Sequence, residues 1–227
     1  MRYSHVRKGE FLRRPNRFIA HVLLNDEEMI CHVKNTGRLK ELLLPGATVF
    51  LEESNNPARK TRFDLVAVMR GSEVVNIDSQ APNQAVGEWL RKGGLYADVS
   101  HVKAEARYGD SRFDFYIEST SGRKAFVEVK GVTLLQDGVA RFPDAPTTRG
   151  VKHIEELVKC KEDGYEAYIL FLLEMKGSRW MEPNDATHPA FGKALRKAAA
   201  KGIKILAYDC IVTPDKLEVD KKVEVRL

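Results

Sequence analysis

Long apolar runs are missing from this sequence. The longest, AYILFLL at 167–173, stops after seven residues, far short of the roughly 18–20 that cross a bilayer as a helix. The opening MRYSHVRKGEF holds no apolar core of a secretory signal. Cysteine is sparse: Cys31, Cys160 and Cys210 lie far apart and form no CxxC pair. An odd, scattered set argues against a disulfide frame and against a zinc site; the three read as small buried apolar residues. There is no repeat, no low-complexity segment and no recognition helix of the kind that reads an operator. Together these absences predict a cytoplasmic protein with reduced thiols and no membrane segment.

A strong charge of one sign is also missing. Thirty-seven Lys and Arg against 32 Asp and Glu leave a net charge of +5. That mildly favours a polyanionic partner, although most of the charge describes a solvated surface. The 43% hydrophobic content is ample for a buried core in one or two domains.

Up to about residue 78 the pattern is strand-like. RFIAHVLL, MICHVKN, ATVFLEE, FDLVAVMR and EVVNID are β-rich runs separated by turn signals such as LND, PG and SNNP. TGRLKELLLPG, between the second and third, predicts a short helical connection. Five short strands with one helical insert predict a small OB-like β-barrel. Past residue 80 strands and helices mix. Pro82 and Asn83 open a helix that Gly93 and Gly94 close. Strands are expected at 100–107, 112–118, 124–130 and 132–141, and a helix at 149–163. The strand AYILFLL, a helix at 189–201 and the strand KILAYDCIV follow, a layered α/β arrangement. The division is placed at 1–80 and 81–227.

RFDFYIE and KAFVEVK are joined by STSGR, a short loop with Gly122, and read as a hairpin. If Glu118 pairs with Lys124, Asp114 pairs with Glu128, and the two carboxylates share a face with Lys130. Phe113, Phe115, Ile117, Val127 and Val129 then point to an apolar reverse face. Two carboxylates about 4 Å apart at an effective dielectric of about 20 repel by about 4 kcal/mol, against a whole-domain stability of about 5–15 kcal/mol. A shared proton, a nearby cation or a bound metal relieves that repulsion. Hard oxygen ligands suit Mg2+ or Mn2+, with the Val129 carbonyl as a third ligand and Lys130 beside the attacking water. Glu-x-Lys alone is common on exposed strands: EMK at 174–176 and EVR at 224–226 are decoys.

Asp on one strand and Glu-x-Lys on the next resembles the core of the PD-(D/E)xK nuclease superfamily. FVEVKGVTL, ARFPDAPTTRGVKHIEEL and RRPNRF resemble the sugar fermentation stimulation protein A family over nearly the whole chain. That resemblance implies an OB-like domain, a restriction-endonuclease-like α/β domain, DNA binding and an association with regulation of maltose metabolism; without a recognition helix the DNA binding is expected to be non-specific. The nuclease core carries over as Asp114, Glu128 and Lys130, and the acidic residue often supplied by the preceding helix falls on Glu88. The superfamily's Pro is absent, since Phe113 precedes Asp114.

Other residues fit a phosphate partner. PTTRGVKHIEEL offers Thr147 or Thr148 as an N-cap, with Arg149, Lys152 and His153 at a helix start whose N–H groups favour anions. For His153 a structural role competes with phosphate contact. Lys193, Arg196, Lys197 and Lys201 share one helical face, for which a solvated stripe is the more ordinary reading. Arg13, Arg14 and Arg17, and Arg59, Lys60 and Arg62, form basic loops on the barrel, where Phe11 and Phe18 could pack or stack. The expectation is a DNA-binding protein with a Mg2+- or Mn2+-dependent phosphodiesterase site. The alternatives are a non-enzymatic DNA-binding regulator and an RNA-directed enzyme. An oligomer is compatible with either.

Overall fold

The computed structural model describes residues 1–227. Six strands come first: β1 Val6–Arg13, β2 Ile19–Leu24, β3 Glu27–Val33, β4 Thr48–Glu53, β5 Phe63–Arg70 and β6 Glu73–Asn76. Strand β2 shows why they form. Ala20, Val22 and Leu24 alternate inward, and Asn25 and Asp26, both at positive φ, turn the chain into β3. β1 pairs with β2 and β4, β2 with β3, and β4 with β5, all antiparallel, and β3 closes in parallel onto β5. The ring β1-β2-β3-β5-β4 is an OB-like barrel.

Two expectations are corrected. The fifth barrel strand is β1, which the sequence reading passed over, whereas EVVNID forms β6, outside the ring on β5. β1, VRKGEFLR, is rich in charge and fully buries only Phe11, so it lacks the usual alternation. TGRLKELLLPG contains no helix. Leu39 adopts φ +50, incompatible with a continuing helix. The N–H groups of Leu42 and Leu43 return to its carbonyl at 3.2 and 2.9 Å, and the three leucines are buried as a plug.

The rest of the chain runs α1 Ala81–Arg91, β7 Val99–Tyr108, β8 Ser111–Ser119, β9 Lys124–Val132, β10 Leu135–Gln136, β11 Val139–Phe142 and α2 Thr148–Glu162. β12 Glu166–Leu173, β13 Trp180–Pro183, α3 Pro189–Ala200, β14 Lys204–Thr213 and β15 Lys216–Val225 complete it. Nine strands make one mixed sheet, in the order β10-β11-β13-β15-β14-β12-β9-β8-β7. β9, β12 and β14 are parallel neighbours. β12 buries every residue after Glu166, as a strand covered on both faces should. Ile154 and Leu157 of α2 and Phe191 and Leu195 of α3 pack on one face; Val86 and Leu90 of α1 pack on the other with Phe115, Val127 and Leu170. The strand expected over 132–141 is broken by a turn at Asp137 and Gly138, both at positive φ. No helix is long and apolar enough to cross a membrane.

The barrel and the sheet share one core. Leu39, Val75 and Ile77 belong to the same cluster as Val132, Phe171 and Met175. The first residues lie against the start of β15 rather than in the barrel: the Leu217 N–H donates to the Met1 carbonyl at 3.2 Å and the Tyr3 N–H to the Asp215 carbonyl at 2.8 Å.

Candidate active site where two strands part

The β8–β9 ladder runs from Glu118↔Lys124 to Phe115↔Val127 and ends there. Asp114, the next residue, no longer pairs through its backbone. Its side chain fills the gap instead. Oδ2 accepts the Val129 N–H at 2.7 Å, and Oδ1 accepts from Asn83 Nδ2 on α1 at 2.7 Å. On the other side of β8, Glu105 adopts φ +54 within β7. The strand is locally irregular here, and the predicted single apolar face is split. Phe113 packs with Phe126 on the α2 side (centroids 5.5 Å apart), while Phe115 and Ile117 pack with Val127 and Val129 on the α1 side. Both faces of the hairpin are therefore core.

Glu128 is only 3% exposed. Its Oε1 accepts from Lys130 Nζ at 2.5 Å and from His153 Nδ1 on α2. Its Oε2 is buried with no partner. Arg149 Nε donates to His153 Nε2 at 3.3 Å, so the network assigns the ring proton to Nδ1, facing the carboxylate. His153, expected among the nucleic-acid contacts, is thus buried and committed to Glu128. Burial pushes the Glu128 carboxyl up, but His153 and Lys130 outweigh it and hold the group below its ordinary value. Asp114 has no such cation in contact: burial first, and the Glu128 charge second, raise it to about 6.

Glu88 lines a cleft of about 420 Å³ with Asn83, Arg91 and Asp114, but its carboxylate accepts from the Met1 amino group at 2.8 Å. Val129 offers its N–H to Asp114. No three His, Cys, Asp or Glu side chains converge as a metal cluster anywhere in the structure.

Thr147 is the α2 N-cap, accepting from the Gly150 N–H at 3.0 Å. Arg149 and Lys152 are exposed on the first turns. On the barrel the basic residues differ in kind. Arg13 pairs with Glu28 at 2.6 Å. Arg14 spends its guanidinium on the carbonyls of Arg17, Asn35, Gly37 and Arg38, so the two are not free phosphate ligands. Arg59 is locked on Asp64 and Arg62 on Glu53; Arg17 is exposed. On α3 Arg196 pairs with Asp185, and Lys201, its C-cap, with Glu162. Phe11 is core, whereas Phe18 is 52% exposed. The decoy Glu174 is fully enclosed, its carboxyl pushed well up by burial and by Asp78, while Lys176 is held by Asp209 and Asp220.

Asn83 escaped the sequence reading except as a helix opener. It lies 31 residues before Asp114, and no spacing links the two.

Comparison with known proteins matches residues 12–77 to the SfsA N-terminal OB domain and residues 80–216 to the sugar fermentation stimulation protein RE domain. A sugar fermentation stimulation protein homolog of Ruminiclostridium cellulolyticum is 54% identical over 227 residues, covering 100% of both chains. A homolog of Clostridium beijerinckii is 51% identical with the same coverage. Among solved structures, Pyrococcus furiosus SfsA in complex with Ca2+ is 28% identical. It aligns with a TM-score of 0.90 over 100% of this chain and 98% of that one. The mixed sheet with its helices is accordingly a restriction-endonuclease-like domain following an OB-like barrel. On these matches, the chain belongs to the sugar fermentation stimulation protein family.

Proposed function

We propose that the protein is a DNA-binding phosphodiesterase whose site is built on Asp114, Glu128 and Lys130 and takes Mg2+ or Mn2+. The observation that carries this is the buried, unpartnered Oε2 of Glu128 beside a second carboxylate. A buried anionic oxygen without a donor is costly, and a divalent cation supplies what the side chains do not. The donor set fits: two carboxylates, with backbone carbonyl and water for the remaining positions, suit a hard cation that keeps part of its water shell. The family's Pyrococcus furiosus member, crystallised with Ca2+, supports a divalent ion in this fold.

Asp114 and Glu128 would hold the cation. When bound, it would polarise a phosphoryl oxygen and acidify water. Asn83 and the Val129 N–H fix the Asp114 carboxylate. Lys130 stands 2.5 Å from Glu128 Oε1, where its charge offsets the negative charge that grows on a phosphate under attack. Arg149 and Lys152 at the start of α2 steady the flanking phosphates.

The test is incubation of end-labelled DNA with the protein and Mg2+ or Mn2+, beside Asp114→Asn and Glu128→Gln. Cleavage by the wild type alone is expected. Intact DNA in every lane, with salt-dependent binding in EDTA that ignores both substitutions, would instead support a non-enzymatic DNA-binding regulator.

A further inference from the structure

A second basic feature lies at the seam between the barrel and the sheet domain. A groove of about 400 Å³ is walled by Asn16 and Arg17 from the β1–β2 loop, by Thr36, Arg38 and Lys40 after β3, and by Ala145 before α2. Arg14 builds it: its donors bind the Arg17 and Asn35 carbonyls at 2.7 Å and those of Gly37 and Arg38 at 2.9 and 3.0 Å. One guanidinium thus ties both loops together. Arg17, Arg38 and Lys40 are exposed, and none takes part in a salt bridge, unlike Arg13, Arg59 and Arg62 nearby. Asp144, near Gly37, and the exposed Glu41, next to Lys40, are acidic residues bordering them. Phe18 stands 52% exposed beside the groove, with the Arg17 guanidinium 6.0 Å from its ring centre. From Ala145 the chain passes through the Thr147 cap to Arg149, which contacts His153 and through it Glu128. The groove wall is thus joined through the chain to the helix that carries His153.

We infer that this groove binds a single-stranded nucleic acid, with its phosphates on Arg17, Arg38 and Lys40 and an unpaired base stacked on Phe18. Preorganised cations on two tied loops suit a flexible polyanion. An exposed aromatic ring beside them adds base stacking, and stacking on a side chain requires a base face that a duplex hides. The inference rests on the nuclease reading for its partner, since it gives the same nucleic acid a second point of contact on the chain.

Fluorescence anisotropy on the full chain in EDTA tests it, using a labelled single strand and a duplex of the same length. The single strand binds at least about tenfold tighter. Phe18→Ala and Phe18→Leu each weaken single-strand binding roughly 5- to 150-fold, the range of one base–aromatic stack, and leave duplex binding unchanged. Arg38→Ala with Lys40→Ala lowers the slope of log affinity against log salt by about 1.4, two single-strand phosphates at about 0.7 each. Duplex binding as tight as single-strand binding, or variants that bind like wild type, overturns the inference even if DNA is cleaved. Tight, Phe18-dependent single-strand binding without any cleavage upholds the groove and removes the nuclease reading.

Discussion

Asp114 Oδ2 and the backbone N–H of Val129 meet at 2.7 Å where β8 leaves β9. A side chain takes the place of a ladder bond, so the carboxylate lies in the opening between two strands rather than on a solvated face. Asn83 from α1 holds its other oxygen, and His153 from α2 and Lys130 hold Glu128. Each carboxylate is thus positioned by a helix, and the two helices cover opposite faces of the sheet.

Asn83→Ala removes the donor to Asp114 Oδ1 and leaves the bond to Val129. Groups that orient metal ligands are typically worth 10- to 100-fold. Mn2+ affinity by calorimetry should fall by about that factor while the melting temperature moves little. Unchanged affinity would make Asn83 a bystander.

The Asp114 carboxyl is raised from 3.8 to about 6. In metal-free buffer the native state keeps a proton between about pH 4 and pH 6 that the unfolded chain has lost. Asp114 therefore lowers stability as pH rises through that window, by up to about 3 kcal/mol for about two units. Asp114→Asn keeps the bond to the Val129 N–H and removes this titration. Urea unfolding in EDTA at pH 4 and pH 7 should show the variant gaining about 2–3 kcal/mol on wild type over that interval. Parallel profiles would mean that the native carboxyl titrates normally.

A methyl group added at Gly131 would lie 2.4 Å from Glu174 Oε1 and 2.8 Å from Pro82 Cγ. Overpacking of this kind costs about 1–3 kcal/mol. Gly131→Ala should lower the denaturation midpoint accordingly; an unchanged midpoint would show that Glu174 and α1 give way freely.

All three cysteines are buried. Burial pushes the Cys31 and Cys160 thiols up to about 12 and Cys210 well above its ordinary value. A thiol-specific colorimetric reagent at pH 8 should find no reactive group in the native protein and three after denaturation. Fast native labelling would contradict the packing described.

The hairpin was legible because its signals are local: alternating strands and a short STSGR loop with Gly122 point to the Glu118↔Lys124 register found, and Gly122 sits there at φ +84. What lay beyond that register was not legible. Asp114 leaves the ladder beside the irregular Glu105, and a periodicity of two cannot anticipate such a break. His153 was visible as a polar residue flanking an apolar stripe, but its partner lies 25 residues away on a strand. Arg14 looked like its neighbours Arg13 and Arg17, since a sequence displays a charge and not the four carbonyls that claim it. β1 was missed for a related reason: closing the barrel makes a strand of a segment whose own pattern is mostly charge.

Anomalous diffraction from crystals soaked in Mn2+ tests the central claim most directly. The account predicts a peak bridging Asp114 and Glu128 that is lost in Glu128→Gln. A well-occupied peak elsewhere, or none between these carboxylates while the ion is bound in solution, would contradict it.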